Sequence, residues 1–467
     1  MANDPSTVLP AVKAMREDWA IVDALMGGTK AMRAAGELFL PKWPKEDKDS
    51  YKARLHLSTL LPAYSETVQN MNGRVFAEPI VMSDDVPEPI SNLADNIDRQ
   101  GNNLQVWAQS LFINGLARGL CHVLVDYPTT EGLRTRADEQ QAGVRPYAVI
   151  ILPGQVLGWK STSVGGEQML SQFRYMEVVE EEDPENTFAL KQVKQIRVLE
   201  PGAWSIYREV DDGKGGKEWR LYQEGTTTLP YIPVVTFYTK RTGFMTATPP
   251  LMELAHLNIK HWQSQSDQDN ILHMARVPIL VRTGVSTNVD AAGNIVVAEI
   301  QVGGCLNDLP ENGDMKYVEH TGKAIEAGRQ ALQDLVDDMR IAGAKLLHKE
   351  KQATKTAAQA EEEAAQEMSP LETMAGQLED AIDQVFQFFA DWMKLGDGGS
   401  VQVNGNFSID FAPETTLPLL LNMTNAGKLS DETLFAEYKR RGVISEDLDW
   451  EAEKVKIAEQ GPALGAL

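Results

Sequence analysis

Four lysines and one histidine stand close together late in the chain, and their types suit contact with phosphate. They are Lys345, His348, Lys349, Lys351 and Lys355. A helix C-terminus favours cations, which explains the first lysine but hardly the whole group. Contacts between lysine and phosphate are independent of base sequence and are weakened by salt. Alternatively, these lysines pair with Glu350 and the run Glu361–Glu363, which would leave no basic cluster.

A predicted helix just before the lysines has one acidic side and one apolar side. Its carboxylates are Glu326, Asp334, Asp337 and Asp338, and its apolar seam is Ile325, Leu332, Leu335 and Met339. The seam follows heptad spacing over about three repeats, enough to pack against one helix, either of the same chain or of a neighbour. Considered alone, the carboxylates are most simply an ordinary solvated face of the helix.

Enzymatic chemistry finds little support among the remaining candidates. No glycine-rich loop ends in Gly-Lys-Ser/Thr, so the chain lacks the phosphate-binding loop of a P-loop ATPase. His256 and His261 are five residues apart, and not the four that place two metal ligands on one helix face. Asp126, beside Tyr127, has no identifiable nucleophile or base, so a turn-forming role is favoured. We expect no catalytic site, metal or cofactor.

Two long helices around a β-rich insert must position the basic and acidic residues. The first helix, Leu251–Met274, would reach roughly 35 Å. Its Gln263–Asn270 segment is too polar for burial on all sides. Pro278 then ends helical geometry. The elements predicted next are strands at Ile279–Val281, Ile295–Val302 and Met315–Val318, a helix over 321–347, and a helix from Ala357 to Trp392 that Pro370 kinks.

The rest of the chain is predicted as scaffold. Its helices are expected within 8–40 with a break at Gly27-Gly28, and over Asp49–Met71, Leu104–Leu120, Leu417–Ala426, Ser430–Arg441 and Ser445–Glu459. Its strands are expected at Cys121–Tyr127, Phe173–Val179, Gln192–Leu199, Trp204–Glu209, Trp219–Tyr222, Val234–Tyr238 and Val401–Phe411. The acidic segment Glu180–Glu185 is predicted to be a solvated hairpin loop, and Gln460–Leu467 a disordered tail.

The order helix, β insert, helix, basic loop and long helix resembles the stem, clip, tunnel loop and wing helix of tailed-bacteriophage portal proteins. Short segments are similar to one branch of that family, first catalogued as a domain of unknown function. They are Tyr51 and Arg54 with Gly73, Val75, Phe76 and Pro79; Asn96–Asp98 with Gly101; Val123–Pro128; Arg145–Tyr147; and Pro250-Leu251 with Leu254, Ala255, Leu257 and Asn258. The resemblance covers about residues 50 to 455 and rests on the order of these segments.

The resemblance implies an α+β fold with an α/β wing, a long-helix stem, a small β-rich clip and a short helical crown. The implied regions are an N-terminal wing (1–249), stem helix 1 (250–274), clip (275–320), stem helix 2 (321–347), tunnel loop (348–356), wing helix and strand (357–412) and C-terminal crown region (413–467). The lysines and His348 would then contact DNA, the four carboxylates would face the channel, and the apolar seam would belong to the stem.

By the same resemblance, the chain would form a homo-oligomeric ring of about twelve copies at one capsid vertex. That ring would conduct double-stranded DNA during packaging and ejection. Its implied partners are the terminase large subunit, a head-completion or adaptor protein, and the major capsid and scaffold proteins. It would be made in the host cytoplasm, reside in the virion and contact no membrane. The alternative is a structural adaptor of a phage head or tail that conducts no DNA.

Composition is compatible with both structural roles. A chain of 467 residues with 43% apolar content forms more than one core, or one core with projections. Cys121 and Cys305 lie far apart in sequence and are expected to be reduced packing residues. The net charge of −23 allows a DNA channel whose wall is mostly repulsive, but it equally serves solubility alone. The polar N-terminal segment does not resemble a signal peptide.

Overall fold

The computed structural model describes residues 4–128, 143–184, 186–211, 216–276, 279–283, 314–318, 323–347, 369–407, 413–440, 443–444 and 448–459. The chain has two compact units, Met1–Phe407 and Ser408–Leu467. Helices and mostly antiparallel sheets both occur, so the predicted α+β class is confirmed. Within the described part of the chain, no helix combines the length and apolar content needed to cross a membrane.

The helices of the first unit are α1 (Pro10–Met26), α2 (Gly28–Ala35), α3 (Lys48–Leu57), α4 (Ala63–Val75), α5 (Glu88–Ser91), α6 (Leu104–Arg118), α7 (Met252–Ala275), α8 (Lys323–Ala344) and α9 (Pro370–Met393). Its strands are β1 (Val81–Met82), β2 (Leu120–Asp126), β3 (Tyr147–Ile151), β4 (Val156–Val164), β5 (Glu167–Asp183), β6 (Asn186–Glu200), β7 (Ala203–Asp211), β8 (Lys217–Thr226), β9 (Val234–Tyr238), β10 (Arg241–Gly243), β11 (Thr246–Ala247), β12 (Ile279–Thr283), β13 (Asp314–Val318) and β14 (Val401–Gln402). The described strands associate as β3-β2-β9, β4-β5-β6-β7-β8, β1-β14, β10-β11 and β12-β13.

Glycine and proline set the boundaries of the N-terminal helices. α1 and α2 meet at Gly27 and Gly28, and Gly28 has a φ of +67°, which glycine adopts readily. The predicted break between them is confirmed. The single helix predicted over Asp49–Met71 is wrong, because α3 and α4 are separate helices with Pro62 between them. Proline disfavours helical geometry in the residue before it, and this explains the interruption.

A three-stranded antiparallel sheet lies at the centre of the first unit. α6 leads into its middle strand β2 through Gly119, which has a φ of +92°. A Cβ at Gly119 would lie 2.5 Å from the carbonyl oxygen of Thr248, so this close approach requires glycine. Five consecutive residues from Cys121 to Val125 are buried, and Cys121 carries a free thiol. The predicted buried helix and strand are confirmed here, while Cys305 lies outside the described residues.

A five-stranded antiparallel meander, β4 to β8, follows the central sheet in sequence. Its base is anchored by a core in which Trp19 of α1 packs with Phe173 and Tyr175 of β5. The acidic segment Glu180–Glu185 does lie where β5 and β6 form a hairpin, but the predicted loop is too long, because β5 continues to Asp183 and pairs with β6. Lys191 lies directly opposite Glu181, and such opposite-charge pairs favour a paired strand.

Two predictions near the end of the first unit are also wrong. Pro370 does not kink a helix but begins α9, where Ser369 and Glu372 form a capping box. The strand predicted over Val401–Phe411 is only the two-residue β14, paired with β1. Residues 408–412 and the predicted helical stretch 357–368 lie outside the described residues.

The second unit contains helices α10 (Pro413–Asn425), α11 (Asp431–Arg440) and α12 (Trp450–Glu459). The predicted cap of α11 is confirmed, since Ser430 Oγ accepts a hydrogen bond of 3.1 Å from the backbone N–H of Thr433. The rings of Phe435 and Trp450 pack with centroids 5.3 Å apart, which ties α11 to α12. The predicted tail, 460–467, is outside the described residues.

Candidate functional site on the long helix pair

α7 and α8 pack against each other in opposite directions. Lys345, just after α8, forms an ion pair with Glu253 in the first turn of α7. Near the other end, Gln268 Nε2 of α7 donates a hydrogen bond of 2.9 Å to the carbonyl oxygen of Ile325, in the first turn of α8. These two contacts fix the register of an antiparallel helix pair that is 24 residues long on the α7 side.

A strand pair lies in the chain between the two helices. β12 and β13 are antiparallel, with Ile279 opposite Val318 and Thr283 opposite Asp314. The two strands pair with each other within the chain, and we also expect such short strands to pair with those of neighbouring subunits, which stays a prediction. Antiparallel pairing within the chain is possible because α7 and α8 bring the two strands close together. The predicted strand Ile295–Val302 lies outside the described residues.

The apolar seam of α8 is buried towards its C-terminal end and half-buried towards its start. Leu335 and Met339 are 6% and 2% exposed, whereas Ile325 and Leu332 are intermediate. Ile325 and Leu332 line a groove of about 360 Å³ between the two helices. The other lining residues are His261, Gln265, Gln268, Leu272, Arg329, Gln333 and Val336. Near the start of α8, the helix pair therefore leaves apolar side chains partly exposed to solvent.

The packed side of α7 is unusually polar. Asn258, Ser266 and Gln268 are all less than 9% exposed, whereas Asp267 is exposed, so the expectation that the Gln263–Asn270 segment is not buried on all sides is confirmed. Burial is tolerated because each has a partner. Ser266 Oγ lies 2.8 Å from Ser58 Oγ, and Asn258 Oδ1 accepts a hydrogen bond of 3.1 Å from the backbone N–H of Tyr64.

Gly328 lets the two helices approach closely at Gln268, which lines the groove. A Cβ at this position would lie 2.1 Å from Gln268 Oε1, the amide whose nitrogen donates to Ile325. His261 is also buried there, and among the described residues its Nδ1 has no hydrogen-bond partner. Burial lowers the pKa of His261, so the imidazole is neutral near pH 7.

A buried ion pair that sequence reasoning missed joins the N-terminal helices to α7. Arg54 of α3 donates to both carboxylate oxygens of Glu46, at 2.8 Å each, and both side chains are about 5% exposed. The guanidinium stacks on Trp43, 4.1 Å from the ring centroid, and reaches Ser266 Oγ of α7 at 3.5 Å. Hydrogen bonds and stacking offset the cost of burying the two charges. The sequence singles out Arg54 only as part of the family resemblance.

The four predicted channel-facing carboxylates lie on the exposed side of α8. Glu326 pairs with Arg329 at 2.5 Å, and Asp337 pairs with Arg340 at 3.0 Å. Asp334 accepts a hydrogen bond of 2.9 Å from Gln330. Asp338 is exposed, and no ion pair is formed by it within the described residues. All these groups face solvent, so the ion pairs contribute little stability and only partly neutralise the acidic face.

The predicted basic cluster is represented by one described residue. Lys345 is bound to Glu253, and the hydrogen bond between them, followed by the charge of Lys345, lowers the pKa of Glu253. His348, Lys349, Lys351 and Lys355 lie outside the described residues. The structure therefore brings Lys345 to the start of α7 and leaves the contact between the other four and DNA as a prediction.

The remaining candidate for catalysis, Asp126, makes structural contacts. The turn-forming role predicted for Asp126 is wrong. Its carboxylate instead accepts hydrogen bonds of 2.8 and 3.0 Å from Arg197 and one of 3.1 Å from Tyr147. This arrangement connects the central sheet to the five-stranded sheet. Among the described residues, no group of three histidine, cysteine or acidic side chains is placed to bind a metal ion.

Residues 250–393 match a known protein family. Its description is Domain of unknown function (DUF4055). This description agrees with the expectation from sequence of a family catalogued as a domain of unknown function. The matched residues extend from the start of α7 to the end of α9, so they include the whole helix pair. A search of curated proteins finds none that matches this chain.

Solved structures of gene transfer agent (GTA) particles contain chains similar to this one. A chain from the neck of an empty GTA particle, computed with C6 symmetry, is 12% identical, with a TM-score of 0.37 and coverage of 84% of this chain and 92% of that chain. A chain from the virion of a native GTA particle is 11% identical, with a TM-score of 0.38 and coverages of 89% and 98%. A chain from a native GTA neck, computed with C12 symmetry, is 12% identical, with a TM-score of 0.35 and coverages of 82% and 89%. At these scores the similarity carries no functional conclusion.

Proposed function

We propose that the chain is a portal-type structural protein whose copies form a ring, about twelve in number, around a passage for double-stranded DNA. The observation that carries this proposal is the antiparallel pair α7–α8, with a strand pair in the chain between its helices and an acidic outer side on α8. In this assignment α7 and α8 are the stem, and β12 and β13 belong to the clip.

Ring formation requires each copy to present two different surfaces that fit each other. The helix pair offers one such surface, because the groove lined by Ile325 and Leu332 is open on one side. Removing these apolar groups from water between neighbouring copies would favour association by roughly 25 cal/mol per Å² of buried apolar area.

The acidic outer side of α8 suits a wall past which DNA must slide. Glu326, Asp334, Asp337 and Asp338 lie along about three helical turns and are all exposed. Repeated around a ring, these carboxylates would repel phosphates and keep the duplex from binding the wall. Arg329 and Arg340 reduce the repulsion without reversing it, since four carboxylates outnumber two guanidinium groups.

The basic cluster after α8 would supply a small number of attractive contacts. Lys349, Lys351 and Lys355, with His348, follow the end of α8 directly in the sequence. Lysines repeated around a ring would form a positive collar that contacts phosphate at any base sequence. Lys345 contributes less to such a collar, because it is engaged with Glu253.

In this role the protein has no catalytic function of its own and works through partners. The terminase large subunit would dock during packaging, and a head-completion or adaptor protein would dock afterwards, both at the clip. The major capsid and scaffold proteins would surround the ring at the capsid vertex. The virion is then its place of action, in packaging, in ejection and as the head-tail connector, after synthesis in the host cytoplasm.

The second candidate is a structural adaptor of a phage head or tail that conducts no DNA. The two functions predict different DNA contents for particles that are assembled without this protein. A portal is needed for filling, so particles lacking it should contain no packaged genome. Heads that fill normally and merely fail to join tails would reject the portal function in favour of the adaptor.

A further inference from the structure

The outer part of the five-stranded sheet has two unlike faces. Residues directly opposite each other in antiparallel strands share a face. One face, here called the open face, carries two rows across β5, β6, β7 and β8: Met176, Ile196, Tyr207 and Leu221, then Val178, Lys194, Glu209 and Trp219. The other, the closed face, carries the residues between them in sequence, including Glu177, Gln195 and Arg208.

The polar side chains of the closed face form hydrogen bonds with one another. Gln195 Nε2 donates to Glu177 at 2.7 Å and Gln195 Oε1 accepts from Arg208 at 3.0 Å. Arg208 also binds Glu181 at 2.6 Å and stacks on Tyr222, 3.6 Å from the ring centroid. Polar groups satisfied in this way need no further partner.

The two rows of the open face are mostly apolar, and their side chains range from buried to exposed. Near the base of the sheet this face is closed by a small core of Leu157, Ile196 and Val198, against which Val8 packs. Met176, Tyr207 and Trp219 also pack against that core and are half-buried, whereas Val178 and Leu221 are 51% and 50% exposed. A contiguous apolar surface of this kind is a feature of interaction sites.

Charges towards the tip indicate what kind of partner fits. Glu180 and Glu182 follow Val178 on the open face, and Glu182 lies opposite Leu190, which is 62% exposed. Towards the tip, the cations of this face among the described residues are Lys217, which pairs with Glu209 at 2.8 Å, and Lys194. A second copy of this chain, with a net charge of −23, is a poor source of complementary cations.

We propose that the open face binds an amphipathic helix of a different, basic partner protein. The apolar side of that helix would rest on Val178, Tyr207 and Leu221, and lysine or arginine at its edge would reach Glu180 and Glu182. The site lies on the sheet and not on the helix pair, so it is independent of whether the ring conducts DNA.

The test uses the full-length protein and a fluorescent synthetic helix with leucine on one side and lysine on the other. Fluorescence anisotropy should show binding of this peptide and not of the same peptide with glutamate in place of lysine. The variant V178T/L221T should weaken binding by about tenfold or more. E180Q/E182Q should weaken it less and reduce its dependence on salt.

Leu57→Ser supplies the matched control, because Leu57 is 66% exposed but lies on α3. Its binding should equal that of the unmodified chain. Thermal unfolding of each variant checks that it is folded. If V178T/L221T is unfolded, E180Q/E182Q still tests the site, because it alters only surface charge. Equal binding of both peptides, or unchanged binding by V178T/L221T and E180Q/E182Q, would overturn the proposal. So would sedimentation showing that V178T/L221T loses self-association, since the face would then join copies of this chain.

Discussion

Lys345, immediately after α8, is bound to Glu253 in the first turn of α7. The two residues are 92 positions apart in sequence, so their contact shows that the chain comes back to the start of α7 after the β-rich insert. Their side chains are 58% and 74% exposed, so the contact marks the register of the helix pair more than it stabilises it. It also removes one lysine from the predicted basic cluster.

The packing of α8 can be tested at Leu335, which is 6% exposed. Replacing Leu335 by aspartate would bury a charge without a partner, and we expect the free energy of unfolding to fall by several kcal/mol. The same change at half-buried Leu332 should cost less. Urea unfolding measures both losses. Ala331, exposed on the same helix, is the control, and A331D destabilising as much as L335D would contradict this packing.

Two helical glycines should respond differently to alanine. In α9, a Cβ at Gly376 would meet no atom within 4 Å, so G376A should stabilise the protein by about 0.5–1 kcal/mol through helix propensity. In α8, the same gain at Gly328 is offset because the Cβ would displace the Gln268 amide from its hydrogen bond, at a cost of about 1 kcal/mol. Thermal unfolding should therefore rank G376A above G328A, and the reverse order would be inconsistent with the observed helix contact.

His122 should make stability dependent on pH. Complete burial lowers its pKa to about 3, while its Nδ1 lies 2.9 Å from Thr236 Oγ1. Between pH 6.5 and about 3 the unfolded chain binds a proton that the folded chain does not, so this contribution to stability is lost as pH falls. The loss is about 1.4 kcal/mol per pH unit within that window.

Comparison with H122N isolates the effect of His122 from that of the carboxylates. Unfolding by urea at several pH values between 7 and 4 should give a shallower fall in stability for H122N than for the unmodified chain. H122N is less stable at pH 7 because it leaves a cavity, so the slope, and not the absolute stability, decides. Identical slopes would mean that His122 is accessible to protons in the folded state.

The basic cluster separates a portal from an inert adaptor. We expect the triple variant K349Q/K351Q/K355Q to form rings normally but to reduce DNA packaging or retention, because the collar would lose most of its charge. The measurement is DNA content and infectivity of particles containing the variant. If both are unchanged, the lysines have no role with DNA, although the ring itself is not affected by that result.

The sequence predicted the long helices well because their apolar spacing, glycines and prolines are local signals. Ser369 and Glu372, on either side of Pro370, form a capping box, which is also a local signal. The prediction of a kink at Pro370 did not take this signal into account. The burial of Ser266 could not be predicted, because its partner Ser58 is 208 positions away. The same holds for Asp126 and Arg197, whose pairing depends on how two sheets meet.

The most direct test of the proposed function is single-particle imaging of the purified full-length protein. A portal requires a closed ring of about twelve copies, with α7 and α8 around a central bore that admits a DNA duplex and the acidic side of α8 turned towards it. Monomers, open filaments, or a ring whose bore is too narrow for a duplex would contradict the claim that this chain conducts DNA.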